Sequence, residues 1–270
     1  WVAAGRVLRP VDDVRRAAEE IGASDLSRRL DVRGADEVAQ LARTFNGMLD
    51  RLEHAFADQR QFLDDASHEL RTPITIVRGN LETLGEDPVQ REASMAVVLD
   101  ELDRMGRLVE DLLTLARSDG PDFVVPGQVE VSELTLGVLT RARSLADRDW
   151  QLDEVGAGFF RADEQRVLQA MLQLAENAVA HTSPGDVIRV GSAISGEAVD
   201  LWVHDSGPGI DPDQRARVLE RFVRSGTSRA DGAGLGLAIV AGIARAHHGE
   251  VVIDDTDAGA RVRLHLPVGG

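Results

Sequence analysis

The chain of 270 residues contains no cysteine and no lysine, and it carries a formal net charge of −16. Without cysteine, a disulfide framework and a thiolate metal site are excluded. Without lysine, a catalytic lysine is excluded, and any cationic contact to a phosphate group must come from arginine. Because the charge is strongly negative and no basic face is apparent, a nucleic-acid partner is not expected.

The sequence also lacks a complete transmembrane segment. Its first five residues (WVAAG) are apolar and are followed by Arg6 and Arg9, which is typical of the cytoplasmic end of a membrane span. A cloning scar or a frayed terminus would explain the same residues equally well.

Two apolar seams follow near the start of the chain. Residues 10–22 begin with Pro10, which favours a helix start, and carry apolar residues three or four positions apart. A connector that ends at Gly34 separates them from a second helix with the same spacing, which begins at Asp36 and Glu37. Two short amphipathic helices joined by an extended connector predict a parallel dimeric coiled coil, with an ordinary helical hairpin as the alternative.

The second seam continues without a breaker into a helix around residues 62–74. Its apolar residues repeat every seven positions and place His68 on the outer face, next to Glu69 in the sequence. Thr72 lies one turn further on and shares the face of His68. An exposed imidazole beside a carboxylate is placed to react, although such a pair on a solvated helix is more often ordinary surface.

A turn at residues 85–88 separates this helix from another over residues 89–117, whose apolar residues again lie three and four positions apart. Residues 55–117 are therefore predicted to form a helical hairpin with an apolar seam on each arm. Two such hairpins bury both seams as a four-helix bundle, which predicts a homodimer. A linker with glycine, proline and aspartate follows at residues 119–127.

The remainder of the chain changes to a mixed pattern of helices and strands. Helices are predicted over residues 132–146, capped by Ser132, and over residues 163–181 and 235–247. Strands are predicted at residues 129–131, 150–152, 187–193, 198–204, 251–254 and 261–266. Strands with helices on one face indicate an α/β sandwich.

Two motifs in this part of the chain carry candidate binding chemistry. Gln173 and Asn177 lie four residues apart on one helix face, where neutral amide oxygens suit Mg²⁺ beside a triphosphate; a polar stripe is the alternative. Asp205 follows a strand and precedes Gly207 and Gly209. Its carboxylate is placed to accept a hydrogen bond from an exocyclic amine, and the glycines admit a base; a capped glycine turn is the alternative.

A third motif leads into the helix predicted at residues 235–247. Gly232, Gly234 and Gly236 precede or begin this helix, whose free N–H groups and dipole favour a phosphate group. A glycine triplet by itself is a weak signal, and this one does not follow a strand as the dinucleotide fingerprint requires.

In this order and at this spacing, the three motifs resemble the N, G1 and G2 boxes of the Bergerat ATP-binding fold. Sensor histidine kinases share this fold with gyrase-type, mismatch-repair and chaperone ATPases. Residues 220–224 (ERFVR) resemble the kinase F box, residues 67–73 (SHELRTP) resemble the H box, and residues 10–46 resemble a HAMP domain. The chain as a whole is therefore similar to a sensor histidine kinase of the HisKA type.

This resemblance implies a multidomain α and α+β protein. Residues 1–54 are expected to hold the end of a transmembrane helix and a HAMP coiled coil, and residues 55–118 the dimerisation and histidine phosphotransfer hairpin. Residues 119–128 are expected to be a linker, and residues 129–270 the catalytic ATP-binding domain. Such a chain is the cytoplasmic portion of a cell-membrane sensor, joined to the membrane by an upstream segment. Its expected partners are a second copy of itself and a response-regulator receiver domain.

The resemblance also assigns roles to the H box. His68 takes the γ-phosphoryl group of ATP and passes it to an aspartate of the response regulator. Glu69 orients the imidazole or acts as its base. Thr72 orients a water molecule for phosphatase activity toward the same partner.

The nucleotide site follows from the other boxes. Asn177 and Gln173 are expected to hold Mg²⁺, Asp205 to bind the adenine amine, and Arg224 to contact the phosphate tail. The remaining residues expected to bind ATP are His181, Gly207, Gly209, Gly232, Gly234, Gly236 and Leu237.

Three positions depart from the family pattern. Gln173 stands where Asn usually begins the N box, Ala180 where Lys or Arg is usual, and His181 where Tyr is often found. The missing basic residue predicts weaker ATP binding unless a lid arginine compensates: Arg221, Arg224 or Arg229. A neutral Gln173 cannot activate water as the Glu of the ATPase relatives does, which favours transfer to His68 over hydrolysis. The alternatives are a hydrolysing ATPase of the same fold and a nucleotide-binding signalling scaffold.

Overall fold

The computed structural model describes residues 29–31, 37–85, 87–223 and 233–269. The chain divides into two compact units, Trp1–His68 and Glu69–Gly270. Outside the described residues lie the predicted membrane-proximal end, the first coiled-coil helix, Gly34, Asp36, Arg224, Arg229 and Gly232. Among the described residues, no helix carries an apolar stretch long enough to cross a bilayer. The domain boundaries given above stay predictions.

In the first unit, polar groups hold residues 29–31 against a helix. Helix α1 (Glu37–Glu82) is continuous, as the unbroken seam predicts. The Leu30 N–H donates to Asn46 Oδ1 at 2.9 Å, and Asn46 Nδ2 donates to the Leu30 carbonyl at 3.0 Å. Arg29 adds ion pairs with two acidic residues of the helix, Asp50 at 2.6 Å and Glu53 at 2.5 Å.

Helix α2 (Pro88–Arg117) follows the predicted turn. Asp87 caps its first turn by accepting a hydrogen bond from the Val89 N–H at 3.2 Å, and proline at the first position suits a helix start. Within one chain, several large apolar side chains of the second unit's part of α1 and of α2 stay exposed: Ile74, Leu81, Leu99, Leu102, Val109 and Leu113. The predicted apolar seam is thus only partly covered by the chain itself.

The rest of the second unit is a sheet covered by helices. The helices are α3 (Val131–Ala142), α4 (Glu164–Ala180) and α5 (Gly236–Ala246). The strands are β1 (Gly127–Glu130), β2 (Asp149–Leu152), β3 (Phe159–Ala162), β4 (Val187–Ser195), β5 (Ala198–Asp205), β6 (Glu250–Asp254) and β7 (Arg261–Pro267). Five strands form one sheet in the order β2-β4-β5-β7-β6, with β2 parallel to β4 and the other neighbours antiparallel. Strands β1 and β3 pair separately. The predicted α/β sandwich is confirmed.

The alternation of side chains along β5 positions one site residue. Val199, Leu201 and Val203 are buried on the face that the helices cover, whereas Asp200 on the other face is partly exposed. Asp205 continues the buried series at the carboxyl end of the strand and is only 5% exposed. The strand therefore delivers this carboxylate to the helix-covered side.

Three details of the predicted elements are wrong. Ser132 does not cap α3, because the helix already begins at Val131 and the Ser132 hydroxyl donates to the Glu130 carboxylate at 2.8 Å. The helix also ends at Ala142, four residues before the predicted end. Strand β3 is missing from the prediction, because its residues (FFRA) do not alternate between apolar and polar side chains.

Candidate functional site

Helix α1 presents the exposed face that its apolar spacing predicts. His68 and Thr72 are exposed, Glu69 is half-buried and Pro73 is buried. The Ser67 hydroxyl donates to the Leu63 carbonyl at 2.7 Å, so it is satisfied within the helix. The His68 imidazole is therefore accessible to a reaction partner.

A cavity of about 660 Å³ lies in the second unit, where α2 and the start of that unit meet α4 and α5. Seven of the predicted site residues line it: Glu69, Gln173, Asn177, His181, Gly234, Gly236 and Leu237. Glu69 therefore shares one surface with residues that lie 104 to 168 positions further along the chain. We call this space the main cavity.

Two glycines are required by the close packing of the main cavity's wall. A Cβ atom on Gly236 would come within 2.7 Å of Gln173 Oε1. Gly234 has φ of 71°, and a Cβ atom there would come within 2.8 Å of the Val223 carbonyl. The absence of side chains at both positions keeps this wall open at the start of α5.

The N-terminus of α5 is open to an anion. Its cap position, Leu235, provides no side-chain hydrogen bond to the first turn. Uncapped N–H groups at a helix start, together with the helix dipole, favour a negatively charged group. The main cavity is lined by Leu235, Gly236 and Leu237, so the positive end of the α5 dipole lies at the edge of this cavity.

A second cavity of about 1040 Å³ adjoins the main cavity and shares Ala180 and His181 with it. The glycine loop after β5 lines one side. A Cβ atom on Gly207 would come within 2.6 Å of the His181 carbonyl, and one on Gly209 (φ 79°) within 2.9 Å of the Gly259 carbonyl. Only glycine allows the loop to pass so close to the backbone at His181 and at Gly259. The narrow space beside the loop suits a flat base.

The Asp205 carboxylate is fixed beside this loop. Its Oδ1 accepts hydrogen bonds from the Gly207 N–H at 2.9 Å and from the Ala260 N–H at 3.4 Å. Burial raises the pKa of Asp205, and these two N–H donors oppose the rise. A buried acceptor at a strand end is suited to an amine donor on a ligand.

Acidic side chains concentrate where α2 faces α4 across the main cavity. Burial, together with the nearby charges of Glu176 and Glu110, raises the pKa of Asp111 to about 6 against the opposing charge of Arg107. Burial also raises the pKa of Glu176, again against Arg107. Among the described residues, no group of three or more histidine, aspartate or glutamate side chains is arranged to hold a metal ion.

Two residues that the sequence patterns did not reveal hold the ends of α4. At its C-terminus, Arg148 donates to Thr182 Oγ1 at 3.0 Å, to the Thr182 carbonyl at 2.9 Å and to the Val179 carbonyl at 3.3 Å. At its N-terminus, His247 Nε2 accepts a hydrogen bond from the Asp163 N–H at 3.0 Å. The buried His247 joins two distant segments, and only its position after an apolar helix could have suggested this.

Some predicted residues lie elsewhere. Thr72 lines neither cavity, and Asp205 and Gly207 adjoin the second cavity without appearing in its lining. Arg221, a predicted phosphate contact, lies 4.0 Å from Asp119 and does not line the main cavity. Arg224 and Gly232 lie outside the described residues, so their roles stay predictions.

Three family models match successive segments of the chain. Residues 2–54 match the HAMP domain, residues 58–121 the His Kinase A (phospho-acceptor) domain, and residues 162–270 the histidine kinase-, DNA gyrase B-, and HSP90-like ATPase family. The chain belongs to the sensor histidine kinases.

Individual relatives agree with this assignment. The chain is 35% identical to the probable sensor histidine kinase TcrY of Mycobacterium tuberculosis over 98% of its own length and 61% of TcrY. It is 38% identical to the histidine-protein kinase/phosphatase MprB of Mycolicibacterium vanbaalenii over 93% of its own length and 54% of MprB. The chain thus spans little more than half the length of these relatives.

A solved structure shares both fold and sequence with much of the chain. Full-length ShkA in complex with AMPPNP superposes with a TM-score of 0.55 at 32% identity. The match covers 77% of this chain and 45% of ShkA. The match of residues 162–270 to the ATPase family implies the use of ATP, and the likeness to ShkA agrees with this family.

Proposed function

We propose that the chain is the cytoplasmic part of a sensor kinase that transfers the γ-phosphoryl group of ATP to His68. One observation carries the proposal. Glu69, the residue after His68, lines the same cavity as the amides of Gln173 and Asn177 and the glycines at the start of α5. Groups suited to phosphate and a residue of the acceptor motif are thus on one surface.

The two adjoining cavities fit the two ends of ATP. The buried Asp205 carboxylate and the glycine loop provide an acceptor and a narrow space for adenine beside the second cavity. The N-terminus of α5 provides N–H groups for phosphates in the main cavity. Ala180 and His181 line both cavities, which joins the two ends into one nucleotide site.

The transfer follows from substrate and acceptor chemistry. The bond between the γ-phosphorus and the oxygen bridging to the β-phosphate breaks, a phosphorus–nitrogen bond to His68 forms, and ADP leaves. Glu69 orients the imidazole through its other ring nitrogen and stabilises the positive charge that develops there. Because phosphoryl transfer depends mainly on positioning and charge neutralisation, rigid placement of these groups accounts for much of the rate.

A magnesium ion is the expected cofactor. The amide oxygens of Asn177 and Gln173 line the main cavity and suit a hard cation that keeps water and phosphate oxygens as its other ligands. Gln173 Oε1 is turned toward Gly236, so Asn177 is the better placed of the two to act as the metal ligand. Bound magnesium would supply positive charge to the phosphate tail.

A phosphatase activity toward the partner is proposed on the same helix. Thr72 is exposed one turn after His68, where its hydroxyl is accessible to orient a water molecule. The MprB relative is a kinase/phosphatase by name. Thr72→Ala should slow dephosphorylation of a phosphorylated receiver domain while autophosphorylation continues; equal loss of both activities would contradict this role.

The exposed seam of the hairpin supports a homodimer. Leu99, Leu102 and Val109 are each more than 40% exposed in the single chain, and a second hairpin would cover them. Light scattering should give the mass of two chains; a monomer at micromolar concentration would contradict the dimer. We place this dimer next to the membrane, as part of a longer sensor, because residues 2–54 match the HAMP family.

Incubation with γ-labelled ATP separates the three candidate functions. Acid-labile label on the protein, passed on to a receiver domain, supports the kinase. Free labelled phosphate without labelled protein would support a hydrolysing ATPase. Nucleotide binding with neither product would support a signalling scaffold. A panel of receiver domains then identifies the response regulator that accepts the label fastest.

A further inference from the structure

Two arginines of α2 reach the main cavity, and they differ in their surroundings. Arg104 is paired with Glu101 at 3.0 Å. Arg107 makes no hydrogen bond or ion pair with any described residue, yet its charge opposes the raised pKa values of Asp111 and Glu176. Arg107 is thus a guanidinium at the cavity whose donors are not used by the described part of the chain.

The described residues of the opposite wall of the cavity include no arginine. Among the described residues, the lining contributed by the ATP-binding part consists of amides, apolar side chains, glycines, Glu176 and His181, with Ala180 exposed between the two cavities. Every described arginine that lines the main cavity therefore belongs to the acceptor hairpin.

The position of these arginines matters because the cavity is lined by many acidic side chains. Four carboxylates line it: Glu69, Glu110, Asp111 and Glu176. A triphosphate entering among them requires positive charge close by, and guanidinium is suited to phosphate because its planar donors form two parallel hydrogen bonds. Since the transferred phosphoryl group must leave the nucleotide on the hairpin side, the outermost phosphate is the one that faces α2.

We propose that Arg107 of the acceptor hairpin binds the γ-phosphate of ATP, so that the hairpin completes the nucleotide site. This inference rests on the proposed kinase function. It explains how the chain accommodates Ala180: Arg107, on the opposite wall of the same cavity, supplies a positive charge that position 180 and the other described residues of this wall do not. ADP has no γ-phosphate, so Arg107 makes the site prefer ATP to ADP.

The test compares nucleotide affinities of the whole chain and of Arg107→Gln by calorimetry in the presence of magnesium. AMPPNP serves as the ATP probe because it is not turned over, and ADP serves as the reference. A lost hydrogen bond between charged groups predicts about tenfold weaker AMPPNP binding. ADP binding should stay within about twofold, because ADP does not reach the arginine.

Matched variants separate charge from structure. Arg117→Gln, on the same helix but outside the cavity lining, should bind both nucleotides like the parent. Arg107→Lys should keep part of the AMPPNP affinity because it keeps the charge. The double variant Arg107→Gln with Ala180→Arg should recover it, since position 180 lines the same cavity from the other side.

The outcomes are distinct. Unchanged AMPPNP binding in Arg107→Gln, an equal loss of AMPPNP and ADP binding, or a double variant as weak as Arg107→Gln would each overturn the role of Arg107. A parent chain that binds neither nucleotide would instead refute the proposed kinase function. Equal thermal midpoints of the parent and Arg107→Gln confirm that the fold is retained.

Discussion

Gly207 lies directly against the backbone carbonyl of His181, so that a Cβ atom at position 207 would come within 2.6 Å of that oxygen. Gly207 lies in the loop that follows β5, the strand that ends at Asp205, and His181 lies at the C-terminal end of helix α4. This contact sets the distance between the two segments that form the proposed adenine site. The geometry of the base pocket therefore depends on the absence of a side chain at one position.

Gly207→Ala is expected to weaken ATP binding at least about tenfold, because the added methyl group forces the loop and the end of α4 apart. Titration calorimetry with MgATP measures the change. Gly127→Ala is the matched control, since a Cβ atom there meets nothing within 4 Å. Equal affinities for the two variants would show that this close approach does not shape the nucleotide site.

Asp111→Asn is expected to stabilise the protein at neutral pH. Burial raises the pKa of Asp111 to about 6 from an ordinary 3.8, so between these values the folded state binds a proton that the unfolded state does not. The stability contributed by this group therefore falls as pH rises through the window and stays low above it. Asparagine removes this dependence.

Thermal midpoints at about pH 7.5 and about pH 4 measure this effect. The variant should exceed the parent at the higher pH, and the gap should close at the lower one. Asp103→Asn, at an exposed position of the same helix, is the control and should leave the profile unchanged. A variant that is less stable than the parent at neutral pH would show that the charged form of Asp111 is not disfavoured in the folded protein.

Arg148→Ala is expected to lower the free energy of unfolding by about 1–3 kcal/mol. The change removes donors to two carbonyls and one hydroxyl at the C-terminal end of α4, together with a positive charge that the helix dipole favours there. Urea titration gives the free energy. Arg143→Ala removes an exposed arginine from the preceding segment. If both variants unfold alike, the Arg148 contacts contribute nothing measurable.

The order and spacing of the motifs predict that several candidate residues share one site. The amides at Gln173 and Asn177 and the glycines at Gly234 and Gly236 meet at one cavity, as their order along the chain predicts. Unbroken apolar spacing likewise predicts the continuous helix α1. In both cases the pattern lies within a short stretch of sequence, so it can be recognised without knowledge of the tertiary fold.

Contacts between distant segments could not be predicted in this way. Arg148 contacts a helix end more than 30 residues further along the chain, and His247 accepts a hydrogen bond from Asp163 across 84 positions. An arginine or a histidine in a sequence does not indicate which distant residue it will contact. The wrong cap at Ser132 has a local cause, because Glu130 attracts the hydroxyl that capping would need.

Arg107 illustrates the same limit at the candidate site. The sequence suggested that an arginine of the lid replaces the basic residue missing at Ala180. Arg224 and Arg229 of the lid lie outside the described residues, so this suggestion stays a prediction. Among the described residues, the arginines that line the main cavity come from α2, some 70 residues earlier in the chain. The hairpin's apolar spacing predicts which residues form its seam but not which polar residues reach a cavity.

The proposed phosphorylation of His68 by ATP bound in the second unit is tested by the site of labelling. With γ-labelled ATP and magnesium, the parent chain should acquire acid-labile, base-stable label, and His68→Gln should acquire none. His54→Gln, which changes another exposed histidine of α1, should be labelled like the parent. Label that persists in His68→Gln, or a parent chain that binds ATP but never becomes labelled, would contradict the account.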